Sequence, residues 1–118
     1  MNKITETFVA AKNIVAFSAV SVTKQGTVEH LEWPNVQKCA KFIGIALNDA
    51  VEADTVEVCL VGIVENPLWN FTPQDNIYSY YNGLLTIDPP KENILRIGLA
   101  VASNKIFVKP LEFLALNP

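Results

Sequence analysis

Alternation of apolar and polar residues, with many β-branched side chains, dominates this chain. Residues 55–64 read Thr-Val-Glu-Val-Cys-Leu-Val-Gly-Ile-Val; they alternate at first and are apolar or glycine from Cys59 onward. Alternation is typical of a strand with one buried face, and a continuous apolar run is typical of a strand covered on both sides. We therefore expect a strand here whose second half is buried on both faces.

Other segments of the chain also favour strands over helices. Residues 13–22 have strand composition, and residues 105–109 form a short strand that we expect to end at Pro110, because proline has no N–H to donate to a sheet. Apolar residues at helical spacing occur over residues 46–53, but two turns are short for a helix and a turn is the alternative. The pattern predicts an all-β fold with at most one short helix.

An internal repeat organises the chain. Residues 43–47, Ile-Gly-Ile-Ala-Leu, return as residues 97–101, Ile-Gly-Leu-Ala-Val. Each copy follows a strand, a Gly-centred turn, a second strand and a Pro-containing loop. Asn82-Gly83 is a strong type I′ hairpin signal, since both central residues of that turn need a positive φ, and Gln25-Gly26 is a weaker version of it.

The glycine inside each repeated strand predicts close packing. A glycine weakens a strand unless a bulge, a bend or a close neighbouring backbone requires it, and the alanine two residues later lies on the same face. We expect Gly44 and Gly98 to occupy equivalent places in two pseudo-repeats, residues 19–47 and 76–101. Together these make a small antiparallel barrel or sandwich.

The chain is expected to form one β domain, residues 11–118, preceded by a short N-terminal segment. At 118 residues, two domains would each be marginal. Residues 1–10 precede the first repeat and are either a free arm or an edge strand. Ile4 and Phe8 are the two apolar anchors of this segment, and we expect them to contact a partner if it is an arm.

Charge and composition exclude several classes of protein. The net charge of −3 and the pI near 5.0 have the wrong sign for a protein that binds nucleic acid through phosphate contacts. No apolar stretch approaches the roughly 20 residues of a membrane-spanning helix, and the first residues do not resemble a signal peptide. We expect a soluble, non-secreted protein that binds neither nucleic acid nor membrane.

The sequence offers no assembly of catalytic residues, so we expect no enzymatic activity, no cofactor and no metal. His30 is the single histidine and is expected to face solvent. Cys39 and Cys59 lie among apolar or small neighbours and favour buried thiols, with a disulfide or a reactive thiol as the alternatives. Three carboxylates are expected to form a solvated edge rather than a cation site: Glu52, Asp54 and Glu57.

The order of the motifs resembles that of small phage capsid cement or decoration proteins and of the related β-modules of phage head fibres. The resemblance covers residues 19–108. Ala53 departs from the pattern, which has glycine there, so the backbone of that turn is in question. The matching segments are residues 43–47, 50–58 and 61–64, then Trp69, Pro73, residues 77–78 and 83–86, Pro89 and residues 97–100.

The resemblance implies a non-enzymatic structural protein of the virion. Such a protein is made in the host cytoplasm, binds the major capsid protein on the exterior of the capsid and stabilises or decorates it, commonly as a homotrimer. Under this hypothesis Ile4 and Phe8 are the expected capsid contacts.

Two other functions remain as alternatives. A receptor- or carbohydrate-binding β-module of a fibre or tail would share the fold and display aromatic rings for stacking on a sugar; the candidates are Trp69, Phe71, Tyr78, Tyr80 and Tyr81. The same rings would otherwise pack in a core or an interface. A lipoyl-like carrier would present a modified lysine at a hairpin, where Lys24 lies, but residues 22–26 lack the sequence context of such carriers.

Overall fold

A computed structural model of the chain describes residues 3–32, 41–89 and 94–114, and shows two layers of antiparallel strands. The all-β prediction is confirmed, and of the two predicted architectures the structure is roughly a sandwich, because the sheet does not close into a barrel. The strands are β1 (Ile4–Val9), β2 (Ala19–Val22), β3 (Val28–His30), β4 (Phe42–Ala46), β5 (Thr55–Glu65), β6 (Asn76–Ser79), β7 (Leu85–Thr86), β8 (Ile94–Ala102) and β9 (Lys105–Leu114).

Strand β5 belongs to both layers. Its first half pairs with β4 and with β1, which gives a first sheet in the order β3-β2-β4-β5-β1. Its second half pairs with β9, which gives a second sheet in the order β7-β6-β8-β9-β5. Gly62, between the halves, has a φ of 132°, and a Cβ there would meet the Cα of Lys3 at 2.8 Å. Only glycine fits this junction.

The two sheets have the same pairing scheme. Gly44 lies opposite Val20, Gly98 lies opposite Ile77, and each ladder shifts register directly after that pair. A Cβ on either glycine would collide with the carbonyl oxygen of the next strand, Cys59 in the first sheet and Phe107 in the second. The repeat in the sequence is therefore a repeat of backbone pairing, and close approach of two strands explains both glycines.

The N-terminal segment takes part in this repeat. Strand β1 pairs with the first half of β5 over Ile4–Val9. This pair in the first sheet corresponds to the pair that β9 forms with the second half of β5 in the second sheet. Over Ile4–Val9 the segment is thus an edge strand of the first sheet. Phe8 is half-buried against a core cluster, whereas Ile4 is 54% exposed.

The buried apolar side chains form two clusters. The larger lies between the sheets and joins side chains of both, with Ile45 and Cys59 from the first and Ile77 and Ile106 from the second. The smaller lies on the other face of the first sheet, around Val58. That face is covered by the connections over residues 10–18 and 47–54, which meet through hydrogen bonds between Ile14 and Ala50.

The two hairpin turns differ. Tyr81–Leu84 form the predicted type I′ turn, with positive φ at Asn82 and Gly83 and a 3.1 Å bond from the Leu84 N–H to the Tyr81 oxygen. The turn before β3 has a positive φ at Gly26 alone. The prediction of one turn type for both hairpins is therefore wrong.

Two further boundaries differ from expectation. Strand β9 continues past Pro110 to Leu114, because Pro110 lies in a bulge where three residues of β9 oppose Ile97 of β8. A bulge tolerates the missing N–H. Residues 47–54 form turns rather than a helix. Ala53 has a φ of 76°, a conformation that favours glycine, and its N–H donates to the carbonyl of Ala10 at 2.8 Å.

Replacing Ala53 by glycine is expected to stabilise the protein by about 1 kcal/mol, because a left-handed backbone costs a side chain roughly 1–2 kcal/mol. The matched control, Ala11→Gly, lies at a residue without positive φ and is expected to destabilise by about 0.5–1 kcal/mol. Urea unfolding midpoints measure both effects. Destabilisation by Ala53→Gly of the same size as the control would contradict the assigned backbone.

Strand β1 provides a second test. Phe8→Ala is expected to cost about 2 kcal/mol of unfolding free energy, since it removes a half-buried ring from the cluster under the first sheet. Ile4→Ala, on the same strand but exposed, is expected to change stability by less than about 0.5 kcal/mol. Equal melting temperatures for both variants would mean that β1 is a free arm in solution.

Candidate functional site

A cleft of about 390 Å³ lies in the described part of the chain. It is built from three segments: the connection before β2, the connection after β5, and the start of β7. The lining residues are Val15, Ala16, Phe17, Ser18, Asn66, Leu68, Trp69, Asn70, Phe71, Leu84 and Leu85. All of these side chains are uncharged, so the cleft presents apolar surface and amides.

Three aromatic rings lie side by side in the cleft. The ring centroids of Phe17 and Trp69 are 5.5 Å apart with the planes at 71°, an edge-to-face arrangement. Those of Trp69 and Phe71 are 5.6 Å apart at 45°. All three rings are partly buried and pack against the core between the sheets. Aromatic pairs at these distances gain stability beyond simple burial, which makes this side of the cleft rigid.

Phe17 has an unusual backbone. Its φ of 67° lies in the left-handed region, which is uncommon for a bulky side chain. The Phe17 N–H donates to the carbonyl of Ala46 at 2.7 Å, and the ring packs on Trp69, so contacts on both sides hold the conformation. Gln74, before β6 in the second repeat, has a φ of 81° and donates in the same way to Ala100. The strained turn is therefore part of the repeat, and only the first copy places an aromatic ring on it.

Two side chains fix the segment that carries Phe17. The Val15 N–H donates to Nε2 of His30 at 3.0 Å, and the Ala16 N–H donates to Oδ1 of Asp49 at 2.7 Å. His30 is half-buried, so the expectation that it faces solvent is wrong, and burial lowers its pKa. A nitrogen that accepts a hydrogen bond is unprotonated, which agrees with the direction of that shift.

The rim of the cleft is strongly apolar. Leu68 is 89% exposed, and Val15 and Leu84 are each 59% exposed. One exposed leucine is ordinary on a protein surface, but three large aliphatic side chains around one aromatic cleft form a contiguous patch. Such a patch is typical of a surface that a partner covers.

The polar groups of the cleft are largely used within the protein. The side-chain oxygen of Asn66 accepts the Leu68 N–H at 3.0 Å. A sugar needs several free donors and acceptors, whereas an apolar side chain needs none. The backbone N–H groups of the cleft therefore offer little to a sugar, while the side chains of Ser18 and Asn70 also line it. Backbone N–H groups that already donate inside the protein are those of Val15, Ala16, Phe17, Leu68, Trp69 and Phe71.

The aromatic residues singled out from the sequence separate into two groups. Trp69 and Phe71 line the cleft, whereas Tyr78 lies on β6 outside it. Tyr80 and Tyr81 pack edge to face, with centroids 4.6 Å apart, at the β6–β7 turn. Sequence reasoning missed the cleft residues Phe17, Val15, Leu68 and Leu84. Phe17 lies on a left-handed turn for which the local sequence has no signal. The equivalent turn at Gln74, before β6, is the one feature of the repeat that could have indicated it.

The other candidate residues lie outside the cleft. Cys59 is buried between the sheets, and burial raises the pKa of its thiol, as expected for an inert buried cysteine. Cys39 lies outside the described residues. Glu52, Asp54 and Glu57 are exposed around the turn before β5 and along that strand. Lys24 is exposed in the β2–β3 turn. Within residues 3–32, 41–89 and 94–114, no three histidine, cysteine or acidic side chains converge as a metal site would require.

Comparison of the sequence with protein-family models and with curated proteins finds no match. In the described part of the chain, no helix has the length and the apolar character needed to cross a membrane.

Acidification is expected to loosen the cleft through His30. Because burial lowers its pKa in the folded state, the unfolded chain binds a proton first. Stability is therefore complete above about pH 6.5, the ordinary pKa of histidine, and is lost as the pH falls below it. Melting temperatures at about pH 7.5 and pH 5.5 should differ more in the wild type than in His30→Gln, whose amide oxygen can accept the Val15 N–H at both values. The same difference in both proteins would contradict this role.

Proposed function

We propose that this chain is a non-enzymatic structural protein of a phage virion that binds the exterior of the capsid and stabilises or decorates it. It is made in the host cytoplasm, contacts the major capsid protein, associates as a homotrimer and binds neither nucleic acid nor membrane. The proposal rests on the ordered motifs of the sequence together with the geometry of the fold.

The observation that carries the proposal is the backbone at Ala53. The cement and decoration pattern has glycine at this position, and Ala53 keeps the positive φ that favours glycine. The backbone of this chain at Ala53 is thus compatible with the glycine of the pattern. Two of the pattern's other glycines, Gly44 and Gly98, lie at equivalent close approaches of strands. These positions support a shared architecture rather than a chance likeness of small apolar residues.

The cleft is the surface that we propose for the capsid contact. An interface gains most of its affinity from a few apolar anchors in well-packed pockets, and the rigid aromatic side with its aliphatic rim fits that description. Phe8 was expected to contact the capsid, but its ring packs against the protein's own core. Ile4 is exposed at the edge strand β1 and stays a second proposed contact.

The alternative of a carbohydrate-binding module draws on one observation. Trp69 and Phe71 line an open cleft, and an indole ring is a common stacking surface for sugars. The use of the neighbouring N–H groups within the protein favours the protein partner over the sugar.

Capsid binding is tested by cosedimentation with capsids of the phage that carries the gene, prepared without this protein. Leu68→Asp and Leu84→Asp should each weaken binding at least about tenfold, since a charge replaces an apolar anchor. Val51→Asp is the matched control, because Val51 is 58% exposed and lies outside the cleft. Ile4→Asp shows whether β1 contributes to binding.

Failure of the wild-type protein to cosediment with these capsids would refute the proposed function. Binding that is lost in Ile4→Asp alone would move the contact from the cleft to β1. Binding of a glycan array by the wild type, abolished by Trp69→Ala, would favour the carbohydrate-binding alternative instead.

A further inference from the structure

The second sheet carries an apolar face that no described segment covers. Ile63, Phe107, Leu99 and Asn76 lie directly opposite one another across β5, β9, β8 and β6. Side chains opposite one another point to the same face of a sheet. Neighbouring residues Val64 and Ile106 point into the core between the sheets, so this row points outward. We call the surface around Ile63, Phe107 and Leu99 the outer face.

The repeat relates the outer face to a buried one. In the first sheet the equivalent row is Thr5, Cys59, Ile45 and Ala19, across β1, β5, β4 and β2. Cys59, Ile45 and Ala19 are fully buried because the second sheet packs on them. Leu99 and Phe107 stand at the same places as Ile45 and Cys59, are equally apolar, and are only partly buried, while Ile63 is 39% exposed.

From this equivalence we infer that the outer face is the surface through which copies of this chain associate. The inference rests on the homotrimer of the proposed function for the number of copies, and adds the surface that joins them. The fold itself supplies the precedent, since the same face of the first sheet is covered by a sheet of this protein. In a stack of repeats, the outer face at each end needs a cover. In this protein, segments of the chain itself cover one of the two end faces.

That covered end is the other face of the first sheet, under residues 10–18 and 47–54. A second copy thus has no open apolar sheet face there, and its own outer face is the apolar sheet face that it can offer. In a trimer the three outer faces meet around the threefold axis, because two such faces stacked directly on each other would close a dimer. Identical faces must tolerate each other's charges. Glu65 and Lys105 lie opposite one another at the edge of the outer face, so both signs are present and copies can meet without a net repulsion.

The area also has the anatomy of an interface. Its centre is the apolar group of Ile63, Phe107 and Leu99, and its margin is polar, with Asn76 at one end of the row and Lys105 beside Phe107. An apolar centre within a polar margin distinguishes protein interfaces from scattered surface hydrophobes.

Light scattering at about 50 µM, a concentration that populates even micromolar complexes, tests the inference. The wild type is expected at three times the chain mass of 13.0 kDa. Ile63→Lys and Leu99→Lys should each give the mass of one chain, because they place like charges against each other in the contact. Val51→Lys, at an aliphatic residue that is more exposed and lies off the outer face, should keep the wild-type mass. Melting temperatures verify that each variant is folded.

A second measurement covers the case in which a lysine variant does not fold. Leu99→Cys, in a chain with Cys39→Ser, should form covalent dimers with a short bismaleimide, whereas Val51→Cys in the same background should not. Cys59 is buried and does not react.

Each result decides between the inference and the proposed function. A wild type at the mass of one chain overturns the inference and the homotrimer, while capsid cosedimentation still tests the remaining function. A wild-type oligomer that survives both lysine variants overturns the inference alone. A wild-type dimer that dissociates in the same variants supports the outer face as the contact and changes the number of copies from three to two. If the wild type forms the expected oligomer but does not cosediment with capsids, only the proposed function is overturned.

Discussion

Strand β5 is the constraint on which the rest of the structure depends. Its eleven residues complete the first sheet with one half and begin the second sheet with the other. The change of sheet takes place at Gly62, where the backbone of Lys3 passes too close for any side chain. Because one strand serves both layers, the sheets share a single core instead of forming two small ones. A 118-residue chain gains from this, since small separate cores bury too little surface to be stable.

Much of the fold could be predicted from the sequence because its signals are local. Alternation gave strand β5, and Asn82-Gly83 specified a type I′ turn through the positive φ of both residues. The repeated Gly in a strand indicated a close approach, which Gly44 and Gly98 both make. In each case the residue type itself indicates the requirement, even where, as for Gly44 and Gly98, the close neighbour lies on the next strand.

The wrong predictions concern features of the structure that are determined by residues distant in the sequence. Pro110 does not end β9, because the opposite strand accommodates it in a bulge, and no feature of residues 105–109 reveals that partner. Strand β1 belongs to the repeat through pairing with β5, fifty residues away, although its sequence does not resemble the second half of β5. The cleft was missed for the same reason. Phe17 reaches Trp69 because of a left-handed turn that hydrogen bonds to Ala46 impose, and phenylalanine itself disfavours that turn.

The two copies of the repeat have different surroundings in the fold. A sheet with two apolar faces, placed twice in one chain, creates four faces; two meet between the sheets and one is covered by the connections over residues 10–18 and 47–54. Selection on a monomer would favour polar residues on the fourth face, since an exposed apolar surface promotes aggregation. Leu99 and Phe107 are nevertheless as apolar as their buried counterparts Ile45 and Cys59, and Ile63 is apolar where the first sheet has Thr5. At the cleft the copies diverge instead, with Phe17 where the second repeat has the polar Gln74. Under our proposals, the outer face is the part of the repeat that contacts other copies of the chain, and the cleft is the part that contacts a different protein.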